Sequence, residues 1–362
     1  MLEIFTGNAF GVSSLTLALN QVPYVPGLIG RLNLFEEKRL NTTTTMIEVR
    51  GERLALVPER PRGAPPTPDV HEGSQLVPVA IPHFPIRTSL YADAVQNVRA
   101  FGTEDQLQTV VGIVNDREAS LGRRLDLTLE YLRLGAVKGV ITTAADRDTG
   151  APLQQYDLFG AFHVTPQPLL QWPIIGAGNT GDAAAWAGQL TALVNDLGRK
   201  MADAISGGMY QRIHGIAGKT FFDAFAMHPE RRATLIYLTP ADVANNLGAQ
   251  VTFKDVTIEE YRGRVGSIQF VPDDMCYFFP VGAPDLFIEP YAPADYMETV
   301  NTIALPRYSK MRDLDFDKGV EIEAQMNVLP MCTQPRTLFT AQVTAYVPPT
   351  GLMARSNERQ PV

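Results

Sequence analysis

A single long amphipathic stretch constrains the fold of this chain more than any other feature of its sequence. Apolar residues recur there with helical spacing, at Leu107, Val110, Val111, Val114, Leu121, Leu125, Leu129 and Leu132. Thr103 with Gln106 fits a capping box at the start, and Gly135 is typical of a helix end. The pattern predicts a helix over residues 103–135, a rod of roughly 45 Å at about 1.5 Å per residue. A rod of that length is a spine along which other elements pack.

The length, composition and net charge of the chain disfavour several classes of protein. The chain has 362 residues, 45% of them hydrophobic, which suggests two or three compact regions. Its apolar runs fall short of the roughly 20 residues of a membrane span, and residues 1–11 do not resemble a secretory signal. Cys276 and Cys332 are the only cysteines, so we expect no disulfide framework and synthesis in a reducing cytoplasm. A formal net charge of −8 disfavours general binding to nucleic-acid phosphates.

Two segments before the spine have too few apolar residues to form cores of their own. Residues 1–31 contain a short amphipathic piece, Ser14–Asn20, and we expect them to form an arm that lies on another surface. Within residues 32–85, the runs Thr42–Arg50 and Leu54–Val57 are strand-like and flank a glycine-containing turn. They predict a projecting β-hairpin.

After the spine, helical and strand patterns follow one another without regular βαβ order. Strands are predicted over residues 137–143, 154–162, 251–256 and 266–271, and a strand-rich stretch over 319–347. One helix is predicted over residues 182–205, with Thr180 or Asp182 as its cap and Trp186 on its apolar stripe. A shorter helix is predicted over residues 219–227. This mixed order predicts an α+β fold.

The nearest approach to a nucleotide-binding motif is the segment Gly215–Thr220. A phosphate-binding loop needs four residues between its glycines, so that successive backbone N–H groups surround a phosphate. Only two residues separate Gly215 from Gly218. We therefore interpret the segment as a turn that enters the helix of Phe221 and Phe222.

The other candidates for chemistry lack the spacing that chemistry needs. No two of the histidines lie three to five residues apart, as metal ligands often do; they are His71, His83, His163, His214 and His228. Cys276 lies among aromatic residues and is interpreted as a buried apolar side chain, and Asp273-Asp274 as part of a turn. Asp313, Asp315 and Asp317 alternate but lack the glycine and glutamate of a calcium loop. We predict no catalytic residue, cofactor or metal, and a structural role gains weight.

The order of the predicted elements and several short segments resemble one known family. An arm, a projecting hairpin, a long spine helix, a mixed sheet and a second α+β lobe follow the plan of the Hong Kong 97-type phage capsid fold. The segments are similar to the lambda-like phage major capsid protein E family at Pro23–Gly27, Leu34–Glu36, Thr42–Glu48, Arg62–Pro65, Phe221–Asp223, Phe253–Val256, Glu259–Gly263 and Pro280–Thr302. Each segment is short, but their order along nearly the whole chain is specific.

The resemblance implies a structural shell subunit and not an enzyme. The implied protein is the major capsid protein of a tailed double-stranded DNA bacteriophage, which assembles into the hexamers and pentamers of an icosahedral head. Its implied parts are an N-terminal arm (1–31), an extended loop (32–85), a peripheral domain with the spine (86–181), an axial domain (182–311) and C-terminal strands that return to the sheets (312–362). Contacts between subunits are expected at Leu34, Phe35, Glu36, Thr43, Ile47, Arg62, Phe221, Phe222, Tyr291 and Tyr296.

The resemblance also implies partners and a location. The partners are other copies of the chain, a scaffolding protein, a portal, a decoration protein and packaged DNA in non-specific proximity, without a membrane. The location is the virion, after assembly in the bacterial cytoplasm. Because the chain begins almost directly with the arm, we expect a separate scaffolding protein or earlier removal of such a segment. Lys38 lies where some proteins of this fold carry a crosslinking lysine, but no partner is identifiable and no crosslink is predicted.

Two alternatives stay open at this point. An encapsulin-like compartment shell would use the same fold, and the protein E-like segments favour the virus over it. A hydrolase that uses Asp273 or Cys276 is the enzyme alternative, and no recognisable catalytic arrangement surrounds either residue in the sequence.

Overall fold

The computed structural model describes residues 27–49, 75–95, 110–143, 154–176, 187–205, 209–235, 250–265 and 268–345. The helices are α1 (Leu28–Arg31), α2 (Ala92–Val95), α3 (Val110–Lys138), α4 (Leu158–Ala161), α5 (Gln189–Ala204), α6 (Lys219–Ala226) and α7 (Pro229–Leu235). The strands are β1 (Glu36–Arg39), β2 (Thr44–Val49), β3 (Gln75–Ala80), β4 (His83–Tyr91), β5 (Val140–Thr142), β6 (Gln155–Asp157), β7 (Leu170–Ile175), β8 (Arg212–Ala217), β9 (Gln250–Phe253), β10 (Val256–Glu260), β11 (Arg264–Val265), β12 (Ile268–Gln269), β13 (Met275–Val281), β14 (Phe287–Tyr291), β15 (Tyr308–Asp313), β16 (Gly319–Asn327), β17 (Met331–Cys332) and β18 (Phe339–Ala345).

The chain divides into two compact units. The first combines Met1–Arg133, Thr142–Gln154 and Phe287–Thr333. The second combines Leu134–Ile141, Gln155–Leu286 and Gln334–Val362. Among the described helices, none is both long and apolar enough to span a membrane.

The described strands of the first unit form three sheets. Strands β15, β16 and β4 make an antiparallel sheet in that order. The predicted alternation along β16 is confirmed, because Val320, Ile322 and Ala324 are buried on one face of this sheet. Strand β1 pairs in parallel with β14, which pairs with β17, and β2 pairs with β3.

A six-stranded mixed sheet is the centre of the second unit. Its strand order is β7-β18-β13-β8-β10-β9. One face of the sheet is covered by aromatic side chains, in which Trp172 stacks on Phe278 with ring centroids 5.3 Å apart and lies 5.5 Å from Phe221. The predicted stripe of α5 is confirmed by the burial of Leu190 and Leu197 in the same cluster. Helices and sheets are therefore mixed in the α+β manner that the sequence predicts.

The spine helix is confirmed, but its end lies beyond the predicted glycine. Helix α3 runs from Val110 to Lys138, and the predicted start at residues 103–109 lies outside the described residues. Gly135 does not end the helix. It lies within the last turns of the helix. A glycine is needed there because a Cβ atom would come within 2.9 Å of the Cα of Ile141. Gly139, at φ 82°, ends the helix in the left-handed conformation that glycine adopts without strain.

Three other predicted boundaries are wrong. The helix predicted from residue 182 begins at Gln189, because Gly188 has a positive φ of 85°, and the predicted cap and Trp186 lie outside the described residues. The strand predicted over 154–162 gives way to α4, whose backbone N–H at Phe159 is capped by Asp157. The strand predicted over 251–256 is a hairpin of β9 and β10, which turns at Lys254 with φ 52°.

The remaining predictions for these segments are confirmed in part. The predicted strand over 137–143 is reduced to β5, because the first two residues belong to α3. The helix predicted over 219–227 matches α6 to within one residue. Strand β12 falls within the predicted range 266–271. The first run of the predicted hairpin forms β2, but its partner among the described residues is β3, and not a strand just after the Gly51 turn. Ser14–Asn20 and Leu54–Val57 lie outside the described residues.

Candidate assembly surfaces

Strands β2 and β3 form a two-stranded ribbon whose two faces differ. The strands pair over their whole length, and Ile81 N donates to Thr43 O at 3.0 Å where the ribbon joins the rest of the chain. On one face Met46 and Leu76 are 63% and 60% exposed, whereas Ile47 on the other face is buried. An isolated two-stranded ribbon is marginally stable in water. The ribbon is therefore a candidate surface for packing on a second chain.

The loop between β14 and β15 exposes large apolar side chains, and we call residues 297–305 the apolar loop. Its exposed apolar residues are Met297, at 89% exposure, Val300, Ile303, at 71%, and Leu305. Hydrogen bonds fix its backbone, since Thr299 Oγ1 donates to the carbonyl oxygens of Ala294 and Tyr296 at 2.9 and 3.0 Å. Ala304 N also donates to Leu40 O at 2.9 Å. A fixed loop with uncovered apolar side chains is typical of a docking surface.

The outer face of the β15–β16–β4 sheet carries paired charges. Arg312 Nε lies 2.5 Å from Glu321 Oε2, and Arg87 Nη1 lies 3.4 Å from the other oxygen of the same carboxylate. These side chains, with Lys310 and Tyr296, line a shallow cleft of about 210 Å³. Because its charges pair with one another, this face offers little net charge to a partner.

Tyr296 closes one side of this cleft. Lys310 Nζ lies 5.2 Å from the centre of its ring, and its hydroxyl donates to Glu323 at 3.3 Å. Burial, with the nearby carboxylates, raises the pKa of Tyr296 to about 12, so the hydroxyl stays a hydrogen-bond donor at neutral pH.

Polar side chains on the inner side of α3 fasten it to the β15 region. Ser309 Oγ donates to Glu118 Oε1 at 2.8 Å, and Arg307 forms a buried ion pair with Asp126. Burial raises the pKa of Glu118, although the bond from Ser309 opposes this shift. Removing one partner of such a buried pair leaves an uncompensated charge or polar group, which is strongly destabilising.

Two further polar side chains fasten the part of α3 that belongs to the first unit. Glu130 accepts hydrogen bonds from the backbone N–H groups of Ile29 and Gly30, at 2.9 and 3.3 Å, and so caps α1. Arg133 holds the buried Glu289 carboxylate on β14 through Nη2 at 2.7 Å and Nε at 2.9 Å. The spine is thus bound to segments that are distant in sequence.

The predicted contact residues before β2, and Tyr296 just before the apolar loop, keep exposed surface. Glu36 and Thr43 are exposed, whereas Leu34, Phe35 and Tyr296 are half-buried. The Phe35 ring packs within its own chain, 5.3 Å from Phe287. Arg62 lies outside the described residues.

The other predicted contact residues are buried inside the chain. Phe221 and Phe222 belong to the aromatic cluster of the second unit, and Ile47 lies on the covered face of the ribbon. Tyr291 is buried with its hydroxyl donating to Glu289. In the single chain these side chains therefore pack against their own unit, and their contact with a second subunit stays a prediction. The apolar loop and the exposed face of the ribbon are better placed for such contacts. The sequence predicted a hairpin at the ribbon but gave no signal for the apolar loop.

The segment Gly215–Thr220 is the end of β8 and the start of α6, as the turn interpretation predicts. A Cβ atom at Gly218 would clash with the carbonyl oxygen of Pro272 and come within 2.6 Å of the Cα of Asp273. Phe221 N donates to Asp273 O at 3.0 Å. The chain's own backbone fills the place where a phosphate would lie.

The other candidates for chemistry have packing roles. Cys276 is fully buried, and burial raises the pKa of its thiol well above the usual value. Asp273 accepts a bond from Gln269 and Asp274 one from Gln342, both at 2.6 Å. Within the described part of the chain, no three side chains of His, Cys, Asp or Glu are grouped so that they could hold a metal ion.

Comparison with known proteins decides the family. The sequence model described as phage major capsid protein E matches residues 11–343, which is most of the chain. The chain belongs to the phage major capsid protein E family. The major capsid protein of Salmonella phage Felix O1 is 23% identical over 372 residues, which cover 93% of this chain and 97% of that protein. This is a family of structural shell proteins and not a known family of enzymes.

A solved capsid structure supports the fold. The capsid of cyanophage Pam1 is similar with a TM-score of 0.50 and 13% identity, over 86% of this chain and 88% of that one. The mature capsid of bacteriophage PhiM1 gives a TM-score of 0.49 and 10% identity, over 87% and 86%. The predicted Hong Kong 97-type capsid fold is confirmed. As a major capsid protein of a tailed bacteriophage, the chain is a component of the virion.

Proposed function

We propose that this chain builds the icosahedral head of a tailed bacteriophage from hexamers and pentamers, encloses the double-stranded DNA genome and has no catalytic role. The observation that carries the proposal is the uncovered apolar surface of the ribbon and the apolar loop. Met46, Leu76, Met297 and Ile303 all face solvent in the single chain. Monomers rarely expose several large apolar side chains in this way, whereas repeated contacts in a symmetric shell would cover them.

The parts of the subunit are assigned by resemblance. The arm (1–31) and the extended loop (32–85) reach neighbouring subunits, the peripheral domain (86–181) carries the spine, and the axial domain (182–311) faces the capsomer centre. The C-terminal strands (312–362) return to the sheets. Because β1 pairs with β14 inside the first unit, we propose that the projecting part of the loop begins after Arg39.

The partners follow from the same role. Other copies of the chain are the main partner, and a scaffolding protein, a portal and a decoration protein are further ones. Assembly takes place in the bacterial cytoplasm. The net charge of −8 supports an inner wall that encloses DNA without holding it tightly. The family match over residues 11–343 supports a viral head rather than an encapsulin-like compartment.

Removal of the ribbon tests the proposal. Residues 44–80 are replaced by a short glycine-serine linker, which can close because Ile81 N and Thr43 O are 3.0 Å apart. This variant keeps β1, which pairs with β14 and so belongs to the first unit and not to the ribbon. We expect folded subunits by circular dichroism and gel filtration, but no shells by negative-stain microscopy.

The wild-type chain is the positive control for shell formation. A second variant, Met46→Ser with Leu76→Ser, keeps the ribbon but removes its exposed apolar face. Fewer shells from this variant would assign the contact to that face. Normal shells from the ribbon-free variant would contradict a bridging role, and a wild-type chain that stays monomeric at high concentration with a scaffolding protein present would contradict the function itself.

A further inference from the structure

The outward face of α3 carries exposed arginines. Arg117, Arg123 and Arg124 are exposed, and no acidic side chain pairs with them in the described part of the chain. Arg117 and Arg124 are seven residues apart, about two helical turns, and therefore lie along one side of the rod. Leu127, one turn further, is 47% exposed. We call this set the spine face, and it joins positive charge to an uncovered apolar side chain.

The turn between β15 and β16 has the opposite character. Phe316 is 88% exposed, at φ 59° and ψ 26°, a left-handed conformation that bulky residues rarely adopt. Asp313, Asp315 and Asp317 are exposed around it, and among the described residues none of the three has a cationic partner within ion-pair distance. Lys318 lies over the Phe316 ring at 5.6 Å. We call residues 313–318 the acidic tip.

We propose that the acidic tip of one subunit docks on the spine face of a second copy of this chain. The aspartates would meet the arginines, and Phe316 would cover Leu127. The two surfaces differ from each other, so the contact is head-to-tail and repeats from subunit to subunit, as a ring or shell requires. The inference rests on the proposed function and names two surfaces that meet in the assembly.

Charge complementarity is the reason for choosing a second copy as the occupant. Both surfaces are exposed in the same single chain, so neither one covers the other within a subunit. Each surface places charge beside an exposed apolar side chain, and the two charges have opposite signs. Such a pair of surfaces attracts and also fixes the orientation of the contact. Packaged DNA would use the arginines, but it would leave the acidic tip and Phe316 without a role.

A charge swap tests the contact directly. The spine variant carries Arg123→Glu and Arg124→Glu, and the tip variant carries Asp315→Lys and Asp317→Lys. We expect each variant alone to lower the yield of shells by about tenfold at low salt, because like charges then face one another. The variant with all four substitutions should regain most of the yield. Analytical centrifugation and negative-stain microscopy measure the yield.

Two controls separate the contact from general effects of charge or folding. Arg199→Glu with Arg232→Glu makes the same charge change on exposed helix positions of the second unit and should leave the yield unchanged. Phe316→Ser should lower the yield while subunit circular dichroism stays constant.

Provided that the wild-type chain forms shells in the same experiment, any one of three results would overturn the inference. They are normal assembly of the spine variant, normal assembly of the tip variant, and failure of the fourfold variant to regain assembly. Normal shells of the spine variant that retain less nucleic acid would assign the arginines to phosphates instead. Failure of the wild-type chain to assemble would count against the proposed function and not against this contact alone.

Discussion

At the scale of single residues, His214 is the clearest case of burial without compensation. It is fully buried on β8, and neither ring nitrogen has a hydrogen-bond partner among the described residues. Glu259 Oε2 is 3.8 Å from Nε2, too far for a hydrogen bond that would favour the charged ring. Burial, with the nearby charge of Arg212, lowers the pKa of His214 to about 4. The neutral imidazole is therefore the form that the fold accommodates.

This depressed pKa predicts acid sensitivity of the subunit. Between pH 6.5 and about 4 the unfolded chain binds a proton at this position and the native chain does not, so stability falls as the pH falls through that window. The loss is about 3 kcal/mol in full and about 2 kcal/mol by pH 5. Urea unfolding of dispersed subunits at pH 7.5 and pH 5 measures it.

His214→Leu should reduce that pH dependence and cost little at neutral pH, because it removes two unsatisfied polar atoms. His163→Asn is the matched control, since His163 is exposed at φ 54°, which asparagine tolerates. If His214→Leu lost as much unfolding free energy between pH 7.5 and pH 5 as the wild-type chain, the acid sensitivity would not come from His214.

Gly218 gives a second prediction at this scale. Gly218→Ala should destabilise the subunit by about 2 kcal/mol or more, because its methyl group would press on the backbone of Pro272 and Asp273, which cannot rotate away. Gly198→Ala in α5 is the control, since nothing lies within 4 Å of the added atom, and it should stabilise by about 0.5 kcal/mol. Thermal unfolding of both variants compares them. If the two variants changed the stability equally, the close backbone of Pro272 and Asp273 would not be the reason for glycine at position 218.

At the scale of elements, the sequence predicts those whose pattern is local. The leucine period of α3 and the alternation of β16 are both visible within about ten residues, and both are confirmed. Helix α4 was missed because it is four residues long and shows no period, although Asp157 before it is a good N-cap. The end of α3 was missed because Gly135 is explained by its contact with Ile141, which the sequence does not reveal.

Helix α5 depends on a cap from another element. Gly188 has no side chain to cap it, and Glu230 of α7 accepts bonds from the backbone N–H groups of Leu190 and Thr191, at 2.9 and 3.3 Å. Glu230→Ala should therefore cost about 1–2 kcal/mol of subunit stability. Asp196→Ala, which removes only the exposed pair with Lys200 on the same helix, should cost about 0.5 kcal/mol or less. Urea unfolding compares them, and equal losses would exclude a capping role.

At the scale of the whole molecule, the sequence could not supply the pairing of distant segments. Strand β1 pairs in parallel with β14, with Glu36 opposite Ile288, and nothing in either segment specifies the other. The same holds for Arg133 with Glu289. Four of the predicted contact residues are buried in the single chain. A segment that resembles the family does not show which of its side chains pack inside their own subunit. Family resemblance correctly predicted the fold, since it depends on the order of segments.

The apolar loop provides the prediction that belongs to the assembled particle. Ile303 is exposed in the subunit, so Ile303→Ser should change the free energy of unfolding of dispersed subunits by no more than about 0.5 kcal/mol. Within a shell the same change removes apolar contact at every copy, and subunits bound in a shell gain stability only through such contacts. We therefore expect shells of this variant to dissociate at lower temperature or lower urea concentration than wild-type shells, measured by light scattering. Ile322→Ser is the contrasting control, because Ile322 is fully buried in the first unit and its loss should destabilise the subunit itself. Shells of Ile303→Ser as resistant as wild type would show that the apolar loop lies outside the contacts between subunits.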